Sequence, residues 1–271
     1  MGSPAEPVTG MPVAMTIAGS DSSGGAGIQV DLKVFFALGC HGTSALTALT
    51  AQNTVGVTGI HEVPPGFVRE QVDAVVVDMD VAAAKTGMLG SAAIVTEVAR
   101  AVEDHGLQLV VDPVFISKHR SVLLAEDAIG ALRRDLIPRA TVVTPNLHEA
   151  EGLTGLTVTS VEEMKAAAED IARLGPRAVL IKGGHLGEET AVDVLWHDGE
   201  ITLLEAPRYD TTDTHGTGCA LAASITARLA HGDELPAAVA FAKEFISGAI
   251  RHSLRLGKGF GPVNPGWRLD R

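Results

Sequence analysis

A chain of 271 residues and 28.1 kDa fits one large domain or two small ones and is long enough to bury a sizeable core. Hydrophobic residues make up 46% of it and charged residues 20%, which excludes a disordered chain. With 21 Lys and Arg against 33 Asp and Glu the net charge is −12; no basic surplus exists for non-specific binding to nucleic acid, whereas a small anionic ligand would respond to a local site.

Residues 1–12 (MGSPAEPVTGMP) are small and polar. A frayed tail is expected there, and no basic region followed by an apolar run marks a signal peptide. Val13–Ala18 is an apolar run that ends in Gly, a buried strand. Ala26–Leu38 carries Ile28, Leu32, Phe35 and Phe36 at helical spacing, and Gly39 stops it. Thr43–Ala51 admits strand or helix, and we read strand. Phe67–Val77 is a helix introduced by Pro64 and Pro65, and Ala82–Thr86 a short strand. Ser91 is expected to cap a helix running to His105. Leu107–Val111 is a strand stopped by Asp112-Pro113, Ala125–Leu136 a helix followed by Pro138, and Thr141–Thr144 a strand ended by Pro145.

Ser160 and Glu163 have the spacing of a capping box for a helix to Leu174. Val179–Lys182 is a strand ending in Gly183-Gly184. Ala191–Trp196 and Ile201–Glu205 flank Asp198-Gly199 and read as an antiparallel hairpin. Helices from Gly218 to Ala230 and from Pro236 to Leu254 complete the chain. Strands separated by helices imply βαβ units. The expected architecture is one three-layer α/β domain over residues 13–267, mostly parallel, with helices on both faces and a small hairpin. No apolar run reaches membrane length. In such sheets ligands bind beyond the carboxyl ends of the strands.

Candidate chemistry follows those strand ends. Gly19-Ser20-Asp21-Ser22-Ser23-Gly24-Gly25-Ala26-Gly27 links the first strand and helix; its glycines permit close backbone approach to an anion at the helix start, and the plain alternative is a flexible turn. It matches neither the Rossmann fingerprint nor the Walker A loop. Asp112, directly after a strand, suits hydrated Mg²⁺ or a turn. Asn146 and Glu149, three apart, suit Mg²⁺-bound water or a helix cap. Lys182 before Gly183-Gly184-His185 suits a phosphate.

The fifth motif is the most telling. Asp213-Thr214-His215-Gly216-Thr217-Gly218-Cys219 opens a helix of small residues, whose unpaired N–H groups form an anion hole at the positive end of the dipole. There the charge on a transferring phosphoryl group would be stabilised. Cys219 at the helix start is expected to have a depressed pKa; its plain alternative is a small buried hydrophobe. Cys40 and His215 read as structural, His215 alternatively as a supporting residue. Two cysteines cannot build a disulfide framework and suggest a reducing, cytoplasmic setting, and no Cys/His spacing suits zinc.

The segments TIAGSDSSGGAGIQVDLK, TALTAQNTVGV, KTGML, DPV, TPNLHEAE, KGGH, THGTGC and GKGFGP resemble those of the hydroxymethylpyrimidine/phosphomethylpyrimidine kinases within the ribokinase-like superfamily, over roughly Val13 to Pro262. That resemblance implies transfer of the γ-phosphoryl of ATP, with Mg²⁺, to 4-amino-5-hydroxymethyl-2-methylpyrimidine and then to its monophosphate, for thiamine biosynthesis. It implies a pyrimidine pocket of Gly19, Asp31, Gln52, Met88, Val114 and Cys219, with Asp31 and Gln52 pairing the amine and ring nitrogens. It implies a phosphate end of Gly216, Thr217, Gly218 and Lys182, and Mg²⁺ held through water near Asp112, Asn146 and Glu149. Cys219 stands where the wider superfamily has its catalytic Asp, as base or orienter. A homodimer is the usual family assembly.

One stretch departs from the pattern: Phe115-Ile116-Ser117-Lys118-His119-Arg120-Ser121 replaces a Met and a Gly-containing turn. His119 or Arg120 is expected to meet substrate phosphate there, and the second phosphorylation is the step this segment bears on. Three rival readings stand beside this one. Pyridoxal kinase is disfavoured by Gln52 with Asp31. A Cys219/His215 hydrolase lacks an evident acyl pocket. A pyrimidine sensor need not keep Gly216–Cys219, Lys182 and Asp112.

Overall fold

The computed structural model describes residues 10–115, 126–184, 186 and 190–269. Within them nine strands form one sheet in the order β3-β2-β1-β4-β5-β6-β7-β8-β9. β1 (Val13–Asp21), β2 (His41–Gln52), β4 (Val81–Thr86), β5 (Leu109–Val111), β6 (Val142–Val143) and β7 (Ala178–Gly183) run parallel. β3 (Val57–Glu62) at one edge and β8 (Thr190–His197) with β9 (Glu200–Pro207) at the other run antiparallel. The strand order reverses at β1 and β4, so the crevice of such sheets falls between their carboxyl ends.

Parallel strands buried on both faces send alternate side chains into two cores. Leu109 and Val111 of β5 join one core with α2 (Pro65–Val76), α3 (Ala92–His105), α4 (Glu126–Ala131), α5 (Leu147–Thr154) and α6 (Val161–Ala172). Val110 joins the other, with α1 (Gly27–Ala37), α7 (Thr217–Ala230) and α8 (Leu235–Arg251). Asp198 and Gly199, with φ of 51° and 84°, make the primed turn that the Asp-Gly pair signals.

Several expectations change. β3 lies in a stretch for which the sequence suggests no element. It is an exposed edge strand with Gly59 in its middle, so neither alternation nor hydrophobicity marks it. Ser91 precedes α3 without a side-chain cap. Ser160 accepts from the Glu163 N–H at 3.2 Å, but the Glu163 carboxylate turns to Thr159, at 2.7 Å from its N–H. The helix expected over 125–136 is α4 followed by a wider turn, Leu132–Leu136, and a tight one, Ile137–Arg139. The expected contacts of His119 and Arg120, and residues 1–9 of the tail, lie outside the described residues.

Phe35 and Phe36 are adjacent, yet one is wholly buried and the other 76% exposed. Phe35→Ala is expected to lower the unfolding free energy by about 3–5 kcal/mol, and Phe36→Ala by less than about 0.5 kcal/mol. Urea denaturation checks both; equal losses would contradict this packing.

Candidate active site

The carboxyl ends of β1, β4, β5, β6 and β7 bring the sequence candidates to one edge of the sheet. Gly19 lies in β1 and Met88 follows β4. A Cβ at Gly19 would sit 3.3 Å from Met88 Sδ, so glycine lets the thioether approach the strand. The Thr47 hydroxyl donates to the Met88 carbonyl at 2.6 Å and fixes that turn. Asp112 follows β5 and Lys182 lies in β7, with Lys182 Nζ 2.8 Å from Asp112 Oδ1 and 3.9 Å from Glu149 Oε2. Thr144 Oγ1 also donates to Asp112, at 3.2 Å. Val114 closes a tight turn, its N–H on the Asp112 carbonyl at 2.9 Å.

α7 points its first turn at this cluster. Gly216 has φ 82°, and a Cβ there would overlap the Gly25 carbonyl; only glycine permits the contact between the two loops. A Cβ at Gly218 would lie 3.2 Å from Lys182 Nζ and 3.7 Å from Asp112 Oδ2, so the helix start reaches the charged pair. The first N–H groups of a helix lack intrahelical acceptors. The Thr217 N–H and hydroxyl both turn back to the Thr214 carbonyl, which leaves Gly218 and Cys219 to face a ligand.

Two readings of the motifs are corrected. The glycine-rich loop after β1 is not an open anion cradle. Its N–H groups at Ser23, Gly25 and Ala26 are used on the chain's own Asp21 carboxylate, at 2.8, 3.2 and 2.8 Å, and His215 Nε2 lies 2.8 Å from it. Burial opposes that charge, but the His215 and Ser23 hydrogen bonds outweigh burial and lower the Asp21 pKa. Cys219 is the second correction. Burial pushes its thiol up to about 12, Lys85 works against this, and Asp31 and Asp112 add to it. The dipole and the Gly27 N–H on its sulfur do not overcome burial, so the thiol is neutral near pH 7.

Asn146 and Glu149 form a reciprocal capping box for α5: the Asn146 Oδ1 accepts from the Glu149 N–H at 2.9 Å, and Glu149 Oε2 from the Asn146 N–H at 2.8 Å. Burial pushes Glu149 up to about 7, opposed by Lys182 and assisted by Asp112. Among the described residues no group of three His, Cys, Asp or Glu side chains could hold a metal ion. Asp112 and Glu149 nonetheless form a hard oxygen pair that suits Mg²⁺ through water and substrate phosphates.

Asp31 is wholly buried and accepts from Thr16 Oγ1 at 2.7 Å and Lys85 Nζ at 2.9 Å through the same oxygen, Oδ2. Among the described residues its Oδ1 has no hydrogen-bond partner. Lys85 escaped the sequence reading, although a lysine inside the apolar strand Ala82-Ala83-Ala84-Lys85-Thr86 is a signal: a buried charge needs a partner. Burial disfavours its charge, but Asp31, then Cys219 and Asp112, more than offset this and raise its pKa. Gln52, at the end of β2, places Nε2 3.3 Å from His215 Nε2. The 257–262 loop closes over that corner: the Lys258 and Phe260 N–H groups bond Thr54, and the His215 N–H bonds the Gly261 carbonyl.

A buried ammonium–carboxylate pair and a helix start that reaches a second one at the strand ends fit a small-molecule phosphotransferase on a ribokinase-like α/β scaffold. The phosphomethylpyrimidine kinase family model matches residues 21–264, and the chain belongs to that family. A hydroxymethylpyrimidine/phosphomethylpyrimidine kinase of Streptomyces coelicolor is 50% identical over 269 residues, covering 99% of each chain. An ADP complex of Bacillus subtilis pyridoxal kinase superposes with a TM-score of 0.90 at 40% identity, over 96% of this chain and 100% of that one. Phosphomethylpyrimidine kinase of Clostridium difficile gives 0.78 at 42% identity, over 88% and 99%.

With a thiol pKa near 12, alkylation of Cys219 by iodoacetamide is expected to be slow at pH 7 and to keep rising to at least pH 10. A plateau below pH 8 would contradict the neutral thiol. Lys85→Met leaves Asp31 buried without its cation and is expected to cost about 3–5 kcal/mol, whereas Lys85→Met with Asp31→Leu restores most of the loss. Thermal unfolding of the two variants checks this.

Proposed function

We propose that the chain transfers the γ-phosphoryl group of ATP to the hydroxymethyl oxygen of 4-amino-5-hydroxymethyl-2-methylpyrimidine, and then phosphorylates the monophosphate to the diphosphate used for thiamine. The observation that carries this is the approach of the α7 start to Lys182 and Asp112 beside the Gly19–Met88 wall, in a chain of the phosphomethylpyrimidine kinase family.

In this reading the pyrimidine lies against Met88, Gly19 and Val114, with Gln52 pairing its polar edge; Asp31, wholly buried on Lys85, supports the site and does not meet the ring as expected. Lys182 and the N–H groups of Gly218 and Cys219 bind the migrating phosphoryl group; Gly216 lets the turn close, and the expected Thr217 donor is already held by the Thr214 carbonyl. Charge in a loose phosphoryl-transfer transition state spreads over the equatorial oxygens, so donors fixed at that place supply most of the rate. Cys219 orients the acceptor hydroxyl; a thiol with its pKa raised to about 12 is a poor base at neutral pH. Asp112 and Glu149 would hold Mg²⁺ through water, with Asn146 fixing Glu149 by the cap. The ion would supply charge neutralisation on the phosphates.

We also read 13–267 as one kinase domain, working as a homodimer in the cytoplasm; light scattering tests the assembly. The free cysteines Cys40 and Cys219 accord with a reducing compartment. No helix of the described residues is long and apolar enough to cross a membrane. A pyridoxal-type alcohol is the second reading, favoured by the TM-score of 0.90 to a pyridoxal kinase.

ATP-dependent product analysis with the aminopyrimidine alcohol, its monophosphate and pyridoxal as separate substrates decides among these. The aminopyrimidine alcohol is expected to give monophosphate and then diphosphate. Turnover of pyridoxal alone would overturn the assignment.

A further inference from the structure

His215 is buried, at 4% exposure, between the loop after β1 and the start of α7, and phosphoryl transfer as described gives it no task. Its Nε2 lies 2.8 Å from Asp21 Oδ2. Asp21 also accepts from the Ser23 hydroxyl at 2.8 Å and from the N–H groups of Ser23, Gly25 and Ala26, all of which favour the ionised carboxylate. A carboxylate only accepts, so the proton of that contact sits on His215 Nε2. A protonated ring nitrogen has no lone pair to offer elsewhere.

Gln52 meets this nitrogen through Nε2, at 3.3 Å. Two N–H groups then face each other. At the other terminus Gln52 Oε1 lies 3.3 Å from Thr50 Oγ1, whose single proton goes to the Ser20 carbonyl at 2.8 Å. Two acceptors therefore face each other as well. A half-turn of the amide about its last bond exchanges oxygen and nitrogen within the same outline and repairs both contacts. Oε1 then shares the His215 Nε2–H with Asp21, and Nε2 donates to the Thr50 hydroxyl oxygen.

We propose that His215, oriented by Asp21, is a positioning residue that locks the Gln52 side-chain amide with its oxygen toward the imidazole and its nitrogen toward Thr50. One N–H and one oxygen lone pair stay available, in fixed order. An amide in fixed order pairs side by side with a ring nitrogen next to an exocyclic amine, as Asn and Gln do with adenine. A pyridoxal-type ring carries no amine there. The lock thus makes His215 a determinant of specificity for an aminopyrimidine. The inference rests on the reading of Gln52 as part of the pyrimidine pocket.

The test compares His215→Phe, Gln52→Leu and the double variant, with KM and kcat measured for the aminopyrimidine alcohol, pyridoxal and ATP. His215→Phe is expected to raise the aminopyrimidine KM roughly three- to tenfold, the scale of having to order one freed side chain on binding. Its kcat and the KM for ATP should stay within about twofold, and preference over pyridoxal should fall by the same factor as KM rises. In the Gln52→Leu background the same substitution should add nothing. An equal rise in both backgrounds would make His215 a scaffold residue only, and no rise in either would remove the lock. If Gln52→Leu alone leaves KM unchanged, the pocket assignment fails instead, a distinguishable result. Should His215→Phe not fold, Thr50→Val carries the same expectation, because valine keeps the shape and loses the acceptor. Nitrogen-15 NMR of the unsubstituted protein gives an independent reading: the His215 Nε2 is expected to carry the proton, and a bare Nε2 overturns the proposal.

Discussion

The Asp21 carboxylate is the anchor on which the functional edge of the molecule depends. It sits at the end of β1, where a buried charge must find donors or lose its proton. Three backbone N–H groups, a serine hydroxyl and an imidazole supply them. The backbone donors fold the glycine-rich loop over the start of α1. The imidazole belongs to the segment that opens α7, so the same carboxylate also holds that segment against the loop after β1. Gly216 allows the loops to touch, because any side chain there would strike the Gly25 carbonyl.

Around that anchor the charges alternate. Asp31 pairs with Lys85, and Asp112 pairs with Lys182, with Glu149 beyond. Each pair compensates a desolvation that neither member would tolerate alone. Cys219 stands among them with a protonated thiol. An arrangement of this kind favours electrostatic preorganisation over proton abstraction, which is what a loose phosphoryl-transfer transition state asks of a protein. The donors are held by strand ends and a helix start, so little of the structure must reorganise when charge moves.

The legible parts of the sequence were those set by local pattern. The parallel strands, the hairpin around Asp198-Gly199 and helices such as 67–77 and 92–105 follow periodicity and turn chemistry, and they appear within a few residues of their expected limits. β3 escaped because an exposed edge strand with a central glycine has no hydrophobic period. The direction of the Cys219 shift was misjudged for a related reason. A helix start is visible in sequence, whereas the depth of burial that outweighs its dipole is not.

The amino-acid sequence by itself determined the α/β scaffold, the placing of chemistry at strand ends and the family, since spacing, glycines and short motifs are properties of neighbouring residues. Only the tertiary structure decided who pairs with whom. Asp21 meets His215 across 194 positions and Asp31 meets Lys85 across 54. Those partnerships, which turn an apparent phosphate loop into an anchor and an apolar strand into the carrier of a cation, arise because burial forces distant charges to seek each other.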